Sequence, residues 1–267
     1  MDTSQTARSI FLEWCAAIRN SEWDIAKSLL AADVIVNGAS TPRQGYIQTL
    51  MDANFETAHL YMCIVDDEAA EIAARFIIPG PQEGLGQGDE WTEQNLYSVV
   101  DDKICAIRIL AGANKAEAPG ARKDLDTNNT TGAIFQATEL RKFYTEYIDS
   151  INALTMRDHF DTQCQDVICH NYHRYNRDEY RGMIESSFRE ISGLRFTIER
   201  LIVSKESQQV AARLGFTGVP TKEFRGIPPT GGSVKFSEHA FYQLEGGRIK
   251  QVWSLLDLDA YRTSILL

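Results

Sequence analysis

The chain lacks the residue patterns of metal, disulfide and nucleic-acid-binding proteins. Its five cysteines are scattered singly, with no CxxC spacing, so neither a disulfide framework nor a zinc site is expected. Lys and Arg number 27 against 37 Asp and Glu, which leaves a net charge of −10. An acidic chain without a basic cluster is a poor partner for nucleic-acid phosphates.

Long apolar runs and common enzyme motifs are missing as well. No stretch approaches the roughly 20 apolar residues that span a bilayer, and the start, MDTSQTARSIFLEW, lacks the order of a signal peptide. We therefore expect a soluble, cytoplasmic protein that does not bind membranes. There is no G-x-S-x-G, H-E-x-x-H or P-loop, and GLGQG at 84–88 is predicted to be a turn between strands. We expect no metal and no cofactor.

What the sequence does contain is an internal repeat. Residues 7–55 align without a gap on residues 140–188, at an offset of 133. The matching pairs are Phe11 with Tyr144, Trp14 with Tyr147, DVIV at 33–36 with DVIC at 166–169, EIAARF at 71–76 with QVAARL at 209–214, and EQNLYSVV at 93–100 with EHAFYQLE at 238–245. The later pairs need offsets of 138 and 145, as expected if loops differ in length. The pattern predicts two copies of one small domain.

Each copy shows helical periodicity first and alternating strands afterwards. The stretch at 111–132 is poor in apolar residues and carries Gly, Pro and Asn, which is typical of a linker. We divide the chain into a first domain at 1–112, a linker at 113–133 and a second domain at 134–267. The element order predicts an α+β fold of two tandem cone-shaped domains, each a curved, mainly antiparallel sheet wrapped around N-terminal helices. Such a domain can enclose an apolar pocket.

The second half resembles a known family. Residues 224–257 contain a G-x-P-P-T-G turn at 226–231, an E-G-G-R-I turn at 245–249, and Trp253 followed four residues later by Asp257. Together these elements resemble the signature of SnoaL-like polyketide cyclases, in the nuclear transport factor 2-like superfamily, over most of 138–260. The first half resembles the superfamily only in outline, because its turn region at 78–88 lacks PPTG and Gly112 stands where the second half has Asp257.

The resemblance implies a pocket in which Asp257 acts as general acid/base in ring closure. Trp253, Leu255 and Asp257 share one face of an extended strand. If that face lines the core, burial would raise the pKa of Asp257 toward neutrality, and Trp253 would contact the substrate. The alternative is a strand-end Asp that is solvated or caps the next turn.

Glu238 is a second candidate acid/base. Its same-face neighbours, Tyr242 among them, are mostly apolar, so a lone carboxylate there is costly unless it is paired or used. Arg213 is the expected partner, either in a structural ion pair or as a substrate contact, and Tyr242 is a further expected substrate contact. The first half keeps Glu93 and Arg75 at the matching positions, which favours the structural interpretation.

The remaining candidates come from a more distant resemblance to ketosteroid isomerases. There the base ends the short strand after the helices, and a Tyr on the first helix helps hold the oxyanion; the matching positions are His170 or Asn171, and Tyr147. The alternative for His170 is a loop histidine exposed to water. His239 points away from Glu238 and is predicted to lie at an interface.

The first half has Trp14 and Asn37 where we align Tyr147 and His170, so it is predicted to be a degenerate partner. We expect the two sheets to pair in an intramolecular pseudo-dimer, and further homo-oligomerisation is left open. Alternatively, the first domain holds a ligand of its own, with contacts from His59, Trp91 and Tyr97.

Such a pocket can move protons without a cofactor. We expect a cyclase or isomerase of secondary metabolism, with lyase chemistry also considered, acting on a small hydrophobic polyketide or terpenoid intermediate in the second domain. The alternatives are a non-catalytic ligand-binding or assembly subunit, a pericyclase and an epoxide hydrolase. The last is disfavoured because Gly215 stands two residues beyond Arg213, where the resemblance to epoxide hydrolases requires Asp.

Overall fold

The computed structural model describes residues 6–78, 90–114 and 132–266. The chain divides into two compact units, Met1–Ala118 and Pro119–Leu267. Most of the expected linker at 113–133 lies outside the described residues, as does the predicted turn at 78–88 apart from Ile78. The last strand of the first unit reaches Asn114, two residues beyond the predicted domain end.

The first unit is built from three α-helices, one short 3-10 helix and six described strands. The helices are α1 (Ala7–Arg19), α2 (Trp23–Ser28) and α3 (Arg43–Asp52), with the 3-10 helix at Phe55–Thr57. The strands are β1 (Leu30–Val36), β2 (Ala39–Pro42), β3 (His59–Asp66), β4 (Glu71–Ile78), β5 (Glu90–Val100) and β6 (Lys103–Asn114). Their order in the sheet is β2-β1-β6-β5-β4-β3.

The second unit repeats this arrangement and adds a terminal helix. Its helices are α4 (Ala137–Asn152), α5 (Met156–Gln163), α6 (Arg177–Glu190) and α7 (Leu258–Ser264). Its strands are β7 (Cys164–His170), β8 (His173–Asn176), β9 (Ile191–Ser204), β10 (Gln209–Pro220), β11 (Val234–Glu245) and β12 (Arg248–Leu256). The sheet order β8-β7-β12-β11-β10-β9 matches that of the first unit.

Both sheets are mixed but mainly antiparallel, because among the strands that the structure describes only the β1–β6 and β7–β12 pairs run parallel. The amphipathic helices α1 and α4 bury one face, through residues such as Phe11 and Trp14 or Tyr144 and Tyr147. Each unit has its own hydrophobic core. The predicted α+β fold of two domains is therefore confirmed.

Three short elements escaped the sequence analysis. Strands β2 and β8 are largely exposed, so they carry no apolar alternation from which a strand could be predicted. Helix α7 has seven residues, which is too short for a clear helical period. The alternating pattern predicts instead that the preceding strand continues to Asp257.

The ungapped alignment of the two halves is wrong by one residue at strands β1 and β7. Val36 pairs with Ile107 and His170 pairs with Val252, and Ile107 and Val252 are themselves equivalent at the offset of 145. The counterpart of His170 is therefore Val36, and Asn37 does not match it. The second half has gained one residue between its first helix and this strand.

Asn37 corresponds to Asn171 instead. Both have left-handed backbone, with φ of 49° and 54°, and both donate their backbone N–H to the β6 or β12 strand beside them. The Asn37 side chain accepts the N–H of Ile109 at 2.8 Å, and that of Asn171 accepts the N–H of Ser254 at 2.9 Å. The same one-residue correction, carried into α3 and α6, makes Tyr46 the counterpart of Tyr180.

Candidate functional site

The second unit contains a cavity between its helices and one face of its sheet. It encloses about 720 Å³ of empty space, including the part open to solvent. Its walls are largely apolar side chains from α4, α6 and β9–β12: Ile148, Ile151, Met183, Ile184, Leu194, Phe196, Leu214, Phe216, Phe236 and Leu256. The polar side chains at the cavity are Tyr147, His170, Tyr180, Ser187, Arg225, Glu238, Tyr242 and Ser254. A largely apolar cleft with a few converging polar groups is typical of a small-molecule site.

Glu238 projects from β11 into this cavity, on the same strand face as Phe236 and Tyr242. The Ser254 hydroxyl, on neighbouring β12, donates a hydrogen bond to Glu238 Oε1. Burial raises the pKa of Glu238 to about 7, against the opposing effects of the Ser254 hydrogen bond and the Arg225 charge. A carboxyl group with this pKa can give or take a proton near neutral pH.

Four buried tyrosines form two hydroxyl pairs, and three of them, Tyr147, Tyr180 and Tyr242, line the cavity. The hydroxyls of Tyr147 and Tyr180 lie 2.8 Å apart, and the Tyr144 hydroxyl donates to that of Tyr242 at 3.4 Å. Burial raises the pKa of each of the four phenols above its ordinary value, so all four stay protonated. Within the Tyr147–Tyr180 pair only one hydroxyl hydrogen is used between the partners, and the other can be donated to a bound oxygen.

His170 ends β7 and lines the same cavity. Its ring centroid lies 6.1 Å from that of Tyr180. Burial, together with smaller effects of the nearby charges of Arg225 and His173, lowers the pKa of His170 to about 4. The imidazole is therefore neutral at pH 7 and can exchange hydrogen bonds without carrying charge.

Asp257 does not line the cavity, and its predicted placement is wrong. Trp253, Leu255 and Asp257 do alternate with the cavity-lining Val252, Ser254 and Leu256, so their shared face points the other way. Asp257 Oδ1 accepts the N–H of Ala260 at 2.9 Å and forms the N-cap of α7. The capping alternative thus describes Asp257.

Trp253 is likewise outside the cavity, so its prediction as a substrate contact is corrected. The Trp253 ring is buried and lies 5.0 Å from that of Tyr172, centroid to centroid. Strand alternation predicted correctly which residues share a face. It could not predict which face lines the cavity, since both faces of β12 carry buried apolar side chains.

Arg213 does not lie beside Glu238, as the sequence predicted. In the sheet it lies opposite His239, whereas Leu214 lies opposite Glu238, and directly opposed residues share a face. Arg213 Nε donates to Glu199 Oε2 at 2.8 Å, and its Nη1 lies 3.1 Å from His239 Nε2. The expected Glu238–Arg213 pair is therefore replaced by a Glu199–Arg213–His239 cluster on the other face.

Four polar residues at the cavity were not predicted from the sequence: Tyr180, Ser187, Ser254 and Arg225. The one-residue alignment error hid the match between Tyr180 and Tyr46. The expectation that Trp253 and Asp257 line the core places Ser254 on the outer face of β12, where no contact with a substrate is predicted. Arg225 lies within 224–257, the stretch that carries the family resemblance, one residue before the G-x-P-P-T-G turn at 226–231, and its side chain is not part of that motif.

The first unit keeps part of this set of residues, although Glu93 is not among the residues that line its described cavity. Its described cavity encloses about 270 Å³, and Trp14, at the position of Tyr147, packs there against Tyr97 with ring centroids 5.6 Å apart. Glu93 corresponds to Glu238 and accepts a hydrogen bond from Asn95 at 3.1 Å, and burial raises the pKa of Glu93. The positions of His170 and Ser254 hold Val36 and Ile109. The first unit thus retains the carboxylate without the imidazole or the serine hydroxyl.

Within the described residues, no group of three or more His, Cys, Asp or Glu side chains is arranged to hold a metal ion. The same part of the chain has no helix with the length and apolar character needed to cross a membrane.

We expect Glu238 to make the stability of the protein depend on pH. Its pKa rises from an ordinary 4.5 to about 7 on folding, so folding favours the protonated form. The linked stability is complete below pH 4.5 and is lost as the pH rises through 7, by at most about 3 kcal/mol. In urea unfolding from pH 4 to 8, the free energy of unfolding of Glu238→Gln should increase relative to that of the wild type as the pH rises. A difference that does not change with pH would contradict the assigned shift.

Comparison with known proteins identifies the second unit. Residues 138–264 match the model of the SnoaL-like polyketide cyclase family, which confirms the predicted resemblance of the second half. Several solved structures are similar to part of the chain. One is a SnoaL-like polyketide cyclase from Agrobacterium tumefaciens, which is 35% identical in sequence. The match covers 46% of this chain and 95% of that chain, with a TM-score of 0.44. A putative SnoaL-like polyketide cyclase from Jannaschia has 20% identity, coverage of 50% and 97%, and a TM-score of 0.44. A putative polyketide cyclase from Streptomyces antibioticus has 16% identity, coverage of 48% and 99%, and a TM-score of 0.42. No curated protein matches the chain.

Proposed function

Residues 138–264 belong to the SnoaL-like polyketide cyclase family, and on that premise we propose that the second unit is a cofactor-independent cyclase or isomerase. Its substrate is a hydrophobic natural-product intermediate of polyketide or terpenoid type that carries carbonyl groups. The observation that carries the proposal is Glu238, a carboxyl group with a pKa of about 7 that faces an apolar cavity.

In the first step Glu238, as carboxylate, removes a proton from a carbon next to a substrate carbonyl. The electrons of that C–H bond move toward the carbonyl and form an enolate. The free hydroxyl hydrogen of the Tyr147–Tyr180 pair is donated to the enolate oxygen, whose negative charge would otherwise be costly in an apolar site. Ser254 holds the Glu238 carboxyl group in place.

In ring closure, Glu238 acts as the acid and returns the proton to the substrate. The enolate carbon attacks a second carbonyl of the substrate and forms a carbon–carbon bond, and the oxygen of that carbonyl takes the proton back from Glu238. For an isomerase, the proton returns instead to a different carbon of the enolate system. Either route regenerates the carboxylate, and neither consumes an oxidant or reductant.

The apolar walls contribute by holding a flexible substrate in a folded conformation. Ring closure is fast when the two reacting carbons are kept in contact distance. The aromatic side chains of Phe216, Phe236 and Tyr242 offer flat surfaces for such a chain.

A deuterium-exchange experiment tests the proposal without knowledge of the natural substrate. We expect the protein in D₂O to speed deuterium incorporation next to the carbonyl of an enolisable bicyclic ketone such as 2-tetralone, measured by mass spectrometry against buffer alone. A general acid/base group contributes about 10²–10⁴-fold to such a step. Ketones that bind, as seen by quenching of intrinsic fluorescence, but do not exchange would instead support a non-catalytic carrier.

A further inference from the structure

A tight turn at the edge of the cavity holds Arg225 in an unusual conformation. Backbone hydrogen bonds join Phe224 and Ile227 in both directions, at 3.0 and 2.9 Å, and the two residues between them, Arg225 and Gly226, have φ of 51° and 79°. Positive φ at both central positions is typical of a type I′ turn, which favours Gly, Asn or Asp. Arg is unfavourable there, so the requirements of the turn do not explain its presence.

The turn is anchored so that Arg225 lies where the cavity meets solvent. Phe224 is buried, with its ring centroid 5.1 Å from that of Tyr261 and 5.8 Å from that of Phe236. Arg225 is itself exposed, yet it lines the cavity. Its backbone is therefore fixed by the core while its guanidinium group stays accessible from the opening.

Arg225 has no carboxylate partner among the described residues, although other arginines of the second unit do. Arg213 pairs with Glu199, and Arg177 pairs with Asp161. Across the cavity, the Arg225 charge acts on Glu238 and His170 and lowers the pKa of both. The opening thus carries an accessible positive charge above an apolar interior.

We infer that the ligand of this cavity is an amphipathic acid, whose carboxylate or similar anionic oxygen group is bound by Arg225 at the opening while its apolar body fills the interior. The guanidinium group can bind two carboxylate oxygens at once. An acid group held at the opening keeps its charge away from Glu238 and directs the remaining carbon skeleton toward Glu238 and the tyrosines. The inference rests on the proposed function only in taking this cavity as the substrate site.

Two fluorescent probes of nearly identical shape test it. 8-Anilinonaphthalene-1-sulfonate carries an anionic group, and N-phenyl-1-naphthylamine has the same ring system without charge. We expect the wild type to bind the anionic probe about tenfold more tightly than Arg225→Asn does, whereas the neutral probe binds both within about twofold. The advantage for the anion should shrink with added salt, because the charge of Arg225 is accessible to solvent.

Arg225→Asn is suited to this test because Asn tolerates positive φ better than Arg, so the turn should be kept. Thermal melting of the variant checks that it is. Arg195→Gln is the matched control, since Arg195 is exposed on β9 and does not line the cavity. It removes the same charge and should leave both affinities unchanged.

The outcomes separate this inference from the proposed function. Equal losses for both probes, equal effects of Arg195→Gln and Arg225→Asn, or no binding of the anionic probe to the wild type would each overturn the role of Arg225. None of these results depends on turnover. Conversely, the protein could show the expected selectivity for the anionic probe and yet fail to catalyse deuterium exchange. That result would overturn the catalytic proposal but would still support the anion site at Arg225.

Discussion

Glu238→Gln should lower the turnover number by about 10²–10⁴-fold, the usual contribution of a general acid/base group. Glutamine keeps the size of the side chain and can still accept the hydrogen bond from Ser254, so the cavity should keep its shape. Only the ability to carry a proton is lost. Turnover is measured by deuterium incorporation into the bicyclic ketone, and substrate affinity is measured separately by fluorescence quenching.

The pH dependence of turnover by the wild type shows whether Glu238 acts as a base or as an acid. With the pKa of Glu238 at about 7, a carboxylate that acts as base should give a rate that rises with pH and levels off above neutrality. A rate that depends on the protonated acid should instead fall over the same range. In a pericyclic reaction the cavity only holds the substrate folded, so the profile would be flat and Glu238→Gln would stay active.

Asp257→Asn provides the control for the Glu238 substitution. Asp257 caps α7 outside the cavity, and Asn is an equally good N-cap residue, so both turnover and stability should be close to the wild type. Full activity of Glu238→Gln together with an inactive Asp257→Asn would return the acid/base role to Asp257 and refute the proposal for Glu238.

Trp14→Ala should lower the free energy of unfolding of the first unit by about 3–5 kcal/mol. The Trp14 side chain is fully buried, and its ring packs between α1 and β5 against Phe11 and Tyr97. The truncation removes this apolar surface from the core and leaves a cavity that the neighbouring rings cannot fill without moving. The experiment is urea unfolding followed by circular dichroism.

The control for this loss lies on the same helix. Leu12 is 45% exposed, so Leu12→Ala should change the stability by less than about 0.5 kcal/mol. Where Trp14→Ala remains folded, turnover should stay within about twofold of the wild type, because the proposed acid/base groups belong to the second unit. A small stability change, or a turnover loss as large as that of Glu238→Gln, would show that Trp14 has a different role.

Much of the fold followed from local pattern. The 3.6-residue period of α1 and α4 and the alternation along β4, β5, β10 and β11 each require one buried face. Glu238 was found in this way, because a carboxylate on an apolar strand face is conspicuous. The offsets of 138 and 145 also agree with the strand pairing, since long antiparallel strands with one buried face have a strongly specified register.

The errors arose where local pattern is ambiguous. β1 and β7 are short and half exposed, so a shift of one residue left the sequence match looking equally good. That shift paired His170 with Asn37 and hid the equivalence of Tyr180 and Tyr46. In β12 both faces are apolar, so alternation grouped Trp253 with Asp257 correctly but did not say which face forms the cavity.

The sequence by itself determined the α+β class, the internal repeat and the residues that share each strand face, because these depend on interactions between near neighbours along the chain. Tertiary structure alone decided that Ser254 and Glu238 meet, that Arg213 turns to Glu199, and that Arg225 borders the cavity. Those contacts join residues on different strands and turns, and they depend on inter-strand register and on the inward-facing side of the sheet. Neither quantity is set by any one segment, because both result from the packing of the whole unit.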